Sequence, residues 1–343
     1  MIRRAVLLLL CLAGCAPHPQ AKTSGSAPST HVKGIALPGA PADGVFMDFL
    51  VYDRARHRVW VPAGNTGSVD VIDAATAKVT RIEGFPTKEV ERNGNKRTVG
   101  PSSASIGDGV VYVGDRADFS ICAVDAESMK KGACLTLDSS PDAVAWVAAT
   151  EEVWVTTPRD KSIRVLDASR PGALTAKAKI GLPGEPECYA VDDARGVFFT
   201  NLEDADKTVA IDLKARSVSS TWEPACGEDG PKGLALDHAA DVLFVACPDH
   251  VVALDAANGG KKLASIDVGP GIDTIDYDES RHELFAAAGK AAKLAIAKFD
   301  PPGTLTVFLT VPTAAGARNA VAGDDGVAWL TDSHEGKILS VTR

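Results

Sequence analysis

The sequence predicts an all-β protein: a seven-bladed β-propeller whose last blade is closed by an N-terminal strand. Three observations carry this. Trp60, Tyr112, Trp154, Phe199, Phe244, Phe285 and Trp329 occupy one equivalent slot in seven short apolar runs. An Asp follows 13 residues after each of the first four, at Asp73, Asp125, Asp167 and Asp212, and others recur at Asp255 and Asp300. No stretch sustains a helical period, while glycine and other turn residues punctuate the whole chain. Repetition at this scale marks a repeat architecture, and short apolar runs between turn signals read as strands.

The N-terminus is a targeting segment. Arg3 and Arg4 precede a short apolar stretch at residues 5–12, too short to span a bilayer. Leu12, Ala13, Gly14 and Cys15 then resemble a lipobox, which implies lipidation at Cys15; an ordinary signal peptide cut nearby is the alternative. Ala16 stands where Asp would mark inner-membrane retention. The resemblance therefore implies an anchor in the outer membrane of a Gram-negative envelope, on its periplasmic or outward side. Residues 1–14 form the expected leader. Residues 15–30 hold the lipidated Cys and a Pro-, Ser- and Ala-rich tether, and residues 31–343 form the propeller.

Each repeat unit reads as four strands. The first precedes an Asp-containing turn, as in residues 48–53. The second carries the aromatic, the third ends in the recurring Asp, and the fourth is a short run such as 78–83, 217–222 or 305–310. An Asp closing a strand can accept backbone N–H groups of the following turn. A residue repeated in every blade fits packing between blades better than a stacking platform for ligands. The last unit shows three strands, at 320–322, 327–330 and 338–342. The run at 31–37 supplies the fourth, and the pairing removes open sheet edges.

The unit 153–167, VWVTTPRDKSIRVLD, resembles the YVTN-type β-propeller repeat, and 59–73 matches similarly. Units five and six have lost the Thr-Asn portion of that pattern. The resemblance implies architecture and an extracytoplasmic setting. Neighbouring propeller families include lactonases and redox proteins, so it does not select an activity.

The formal net charge is −9, and loss of Arg3 and Arg4 with the leader makes it two units more negative. So acidic a surface repels phosphate backbones and excludes nucleic acid as a partner. The chain is expected to be a monomer. Aligned units place one residue at the start of each innermost strand: Asp48, Ser103, Asp142, Glu187, Lys232, Asp273 and Asn319. They are spaced 55, 39, 45, 45, 41 and 46 apart, and this ring is the candidate binding site at the channel mouth. Four carboxylates there require a cation, protons or water between them. Oxygen-rich sites suit Ca²⁺ or Mg²⁺, and Glu187, Asn201, Asp273 and Asn319 have the residue types of a lactonase-like metal site. Alternatively Lys232 neutralises part of the ring and leaves a hydrated channel.

The spacing of 55 reflects an insertion at 85–100, in which basic residues outnumber two acids. Its Asn93-Gly94 predicts a hairpin turn, as a lid, a partner contact or a tolerated loop. An oxidising envelope favours disulfides; the candidate pairs are Cys122 with Cys134 and Cys226 with Cys247, leaving Cys188 over. No Cys-x-x-Cys-His, Gly-x-Ser-x-Gly, phosphate-loop or His-Glu-x-x-His motif occurs, so the catalytic residues are unknown. Two readings remain: a lipid-anchored, non-catalytic propeller that binds a protein or small ligand at the channel mouth, and a metal-dependent hydrolase. A redox accessory role has fold-level support alone.

Overall fold

The computed structural model describes residues 29–92 and 94–343. The expected leader, Cys15, most of the tether and Asn93 lie outside the described residues. The chain forms seven four-stranded antiparallel sheets and one separate two-stranded hairpin. The innermost strands are Val51–Asp53, Pro101–Gly107, Val144–Val147, Pro186–Asp192, Leu234–Asp237, Ile272–Asp278 and Ala320–Ala322, in blades one to seven. The only helical segments among the described residues are single 3₁₀ turns.

Second strands are buried on both faces because each is covered by the next blade. Arg58–Ala63, Glu152–Thr157 and Glu283–Ala288 are buried almost throughout, which is why they read as continuous apolar runs. All seven repeated aromatics lie on second strands and are at most 3% exposed. They pack between blades. The Trp154 ring lies 5.0 Å from Phe198 of blade four, Tyr112 stacks 5.6 Å from Trp146 of blade three, and Phe244 lies 4.7 Å from Tyr277 of blade six. Each such pair adds about 0.5–1.5 kcal/mol to its area burial. Outer strands such as Ser217–Trp222 are mostly exposed and correspondingly polar.

The recurring Asp residues close the third strands. Backbone N–H groups of Thr76, Ser128, Ser169, Ala215 and Asn258 donate to Asp73, Asp125, Asp167, Asp212 and Asp255 at 2.6–3.2 Å. These carboxylates are structural, and they fix the turn into each outer strand.

Blade seven consists of Ala320–Ala322, Ala328–Asp332, Lys337–Thr342 and the N-terminal strand His31–Ala36. The N-terminal strand pairs antiparallel with Lys337–Thr342 over six residue pairs, from His31 with Thr342 to Ala36 with Lys337. The insertion folds as Lys88–Arg92 paired with Asn95–Val99. Its base is packed tightly: a Cβ on Gly100 would lie 2.2 Å from the Gly64 carbonyl oxygen.

Candidate functional site

Asp48, Asp142, Glu187, Lys232 and Asp273 lie where the chain enters the innermost strands, and all but the 8%-exposed Asp48 are partly open. Two arginines bind this ring together. Arg116 follows the second strand of blade two, Val110–Asp115, and its Nη2 donates to Asp48 at 2.8 Å and also contacts Asp142. Arg318 lies 3.1 Å from Asp273 (Nε to Oδ2) and 3.7 Å from Asp48. Lys232 is ion-paired with Glu203, in the turn after the second strand of blade four. Each of these contacts crosses from one blade to another.

The remaining carboxylate is Glu187. Its side chain has no hydrogen-bond or ion-pair partner among the described residues, and it is in the field of Asp142, Asp273, Glu203 and Asp48. Burial first, then those four acids, hold its carboxyl well above the usual range. Burial pushes Asp142 up to about 6 against the pull of Arg116, with Asp48 adding to the rise. Asp273 is likewise pushed up to about 6 by burial, opposed by Arg318. The ring therefore holds protons more readily than free carboxylates do.

Two of the seven expected ring positions do not open onto the mouth. Ser103 is fully buried because the strand is irregular between Pro101 and Ser103, which sets its hydroxyl against Gly114. Asn319 is also fully buried: its Nδ2 donates to the Asp48 carbonyl at 2.9 Å and lies 3.4 Å from Asp273, and its Oδ1 accepts from Thr331. Asn201 is the equivalent clamp in blade four, donating to the Lys232 carbonyl at 2.8 Å and accepting from Thr208 at 2.6 Å. Of the oxygen donors Glu187, Asn201, Asp273 and Asn319, the two amides thus already fasten one blade to the next. No group of three or more His, Cys, Asp or Glu among the described residues is placed to hold a metal ion.

Phe49, Ala143 and Cys188, each next in sequence to a ring residue, form a small buried apolar cluster. Cys188 is the free cysteine among the described residues, and burial pushes its thiol up to about 12. Cys122 is bonded to Cys134 and Cys226 to Cys247, with Cα separations of 4.0 and 4.9 Å. The loop acids beside the mouth are largely engaged locally. Asp204 meets Lys161 and the Glu185 N–H, and Asp206 accepts from the N–H groups of Cys226 and Gly227.

The hairpin is joined to the ring through Phe46. The guanidinium carbons of Arg97 and Arg116 each lie 5.5 Å from the Phe46 ring centroid, and the Arg116 N–H donates to the Gly100 carbonyl at 2.9 Å. Sequence reasoning missed Arg116, Arg318 and Phe46. A signal existed for Arg116, which occupies the same type of loop as Glu203, and for Arg318, which immediately precedes Asn319.

No family model matches the chain, and neither does any curated protein sequence. Solved structures do match its fold. A chain of a mitotic checkpoint complex superposes with a TM-score of 0.74 at 15% identity, covering 100% of this chain and 99% of that one. A virginiamycin B lyase from Staphylococcus aureus gives 0.69 at 13%, covering 92% and 100%. The Kuenenia stuttgartiensis hydrazine synthase gives 0.72 at 13%, covering 88% and 96%. At such identities the likeness is one of fold alone.

Proposed function

We propose that this chain is a lipid-anchored cell-envelope propeller of the YVTN type that binds, without catalysis, a protein or small ligand carrying a cationic group at its channel mouth. The observation that carries the reading is Glu187. Asp48, Asp142 and Asp273 are ion-paired with Arg116 or Arg318, and Lys232 with Glu203, so Glu187 is the ring acid left for an incoming ammonium or guanidinium. Such a group would enter a partly desolvated site, where a charge-assisted hydrogen bond is stronger than in water. The anchor rests on the Leu12–Cys15 sequence, and Cys15→Ser is expected to release the protein from the membrane fraction.

The test is calorimetric titration of the purified propeller with an arginine-containing tetrapeptide, with its citrulline counterpart, and with Ca²⁺ and Mg²⁺. Saturable binding of the arginine peptide that Glu187→Gln abolishes supports the reading. One-to-one binding of Ca²⁺ or Mg²⁺ in place of the peptide supports the metal-dependent hydrolase instead. That second reading would then be pursued with lactone substrates.

A further inference from the structure

Phe49 and Cys188 of the small buried apolar cluster also line a cavity of about 340 Å³ in the channel. Its wall comes from the innermost strands: Leu50, Tyr52, Tyr189, Leu234, Ile275 and Tyr277 supply apolar and aromatic surface, and polar atoms make up about as much of the exposed lining. Most of these residues keep only 4–8% exposure, and this remnant faces the cavity. One carboxylate stands in that wall. Asp276 lies mid-strand in Ile272–Asp278 and accepts the N–H groups of Tyr277 at 2.8 Å and Ala322 at 2.7 Å. Neither partner is a cation, and Asp276 forms no ion pair within 4.0 Å among the described residues. Arg54 also lines the cavity and its charge reaches Asp276, but its guanidinium is engaged elsewhere, 3.5 Å from Asp324 and donating to the Ala322 carbonyl at 3.3 Å.

A cavity that combines aromatic walls with a few convergent polar groups is the common form of a small-molecule site, and 340 Å³ falls within the usual size range. It equals the share of roughly eleven waters at ~30 Å³ each, which matches a compact organic molecule rather than a peptide. We infer that this cavity is a second binding site, separate from the mouth, for a small aromatic or aliphatic ammonium compound whose charge meets Asp276. The aromatic walls would receive its apolar body, and Tyr189 and Tyr277 would also attract the ammonium through their ring faces. None of Asp48, Asp142, Glu187 and Asp273 lines this cavity, so the two sites are separable by mutation.

The probe is 2-phenylethylammonium, compared with neutral 2-phenylethanol and anionic phenylacetate, titrated into the purified protein and followed by tyrosine and tryptophan fluorescence and by calorimetry. The expected result is a saturable site for the ammonium that persists in Glu187→Gln. Affinity should be at least tenfold weaker for the neutral probe and for Asp276→Asn, and unchanged in Glu187→Gln. Thr274→Met, which extends a side chain from the cavity wall, should abolish binding while the far-ultraviolet spectrum is retained. No saturation by millimolar ammonium, equal binding of phenylacetate, or undiminished binding in folded Thr274→Met would overturn the inference. Loss in Glu187→Gln with retention in Asp276→Asn would overturn it too, by assigning the ammonium to the mouth.

Discussion

Arg116 donates to Asp48 at 2.8 Å across the boundary between blades two and one, with both side chains almost enclosed. The same guanidinium nitrogen reaches Asp142 of blade three, so a single cation ties three blades at the channel mouth.

Replacing Arg116 by Met leaves Asp48 and Asp142 close together without their shared cation. Breaking a buried pair from one side costs about 3–5 kcal/mol, and urea unfolding at pH 7.5 should show a loss of that order. The loss should shrink at pH 5, because Asp142, pushed up to about 6, is then mostly protonated. A loss below ~1 kcal/mol at pH 7.5 would mean that the ring is held by the backbone alone.

Asp115 gives the stability a pH dependence of definite sign. It is fully buried, with one oxygen accepting the Ala117 N–H at 2.8 Å and the other without a partner, and burial pushes it up to about 7. Its unfolded value is near 3.9. The native state therefore holds the proton more tightly, and stability falls as pH rises from about 4 to 7, by up to about 4 kcal/mol. Asp115→Asn should remove this contribution, so the difference in unfolding free energy between mutant and parent should grow in the mutant's favour across that window. A difference independent of pH would contradict the assignment.

Cys122–Cys134 and Cys226–Cys247 close segments of 12 and 21 residues. Loops of this size correspond to about 3 kcal/mol per bridge, so reductant should lower the urea midpoint markedly. Thiol titration of the unfolded propeller, from residue 29 onward, should find one free thiol, at Cys188, before reduction and five after it.

Deleting residues 31–38 removes the outer strand of blade seven and exposes the edge of Lys337–Thr342. The melting temperature should drop by more than 10 °C, or the protein should aggregate. An unchanged melting curve would show that the three remaining strands hold the ring closed.

The scaffold was legible because each blade spends the same residue types on the same tasks. Trp60 and its six counterparts fill the gaps between blades, and five of the recurring Asp residues cap the turns that follow them, so both leave a period in the sequence. The mouth was only partly legible. Counting from the repeat located Asp48, Asp142, Glu187, Lys232 and Asp273, whose place depends on strand position alone. It failed at Ser103, where an irregular pairing beside Pro101 turns the side chain into the wall. It also failed to find Arg116 and Arg318, whose importance lies in partners 68 and 45 residues away in the chain. Pairings of that range follow from the closed ring and leave no local pattern. Asn201 and Asn319 are equally position-dependent: an amide is suited both to ligating a cation and to clamping a neighbouring carbonyl, and only the fold distinguishes the two uses.

The pairing of His31 with Thr342 also has a temporal side. During synthesis the strand at 31–36 is made first, yet its only neighbour in the sheet is made last. Six blades can assemble while this strand remains a loose end. The ring becomes a closed body only when the two extremes of the chain meet, a contact of the longest sequence separation and the slowest kind to form. Proofreading of the whole is thereby deferred to one final event: a chain truncated before residue 337 would have a complete first blade and no way to complete the seventh.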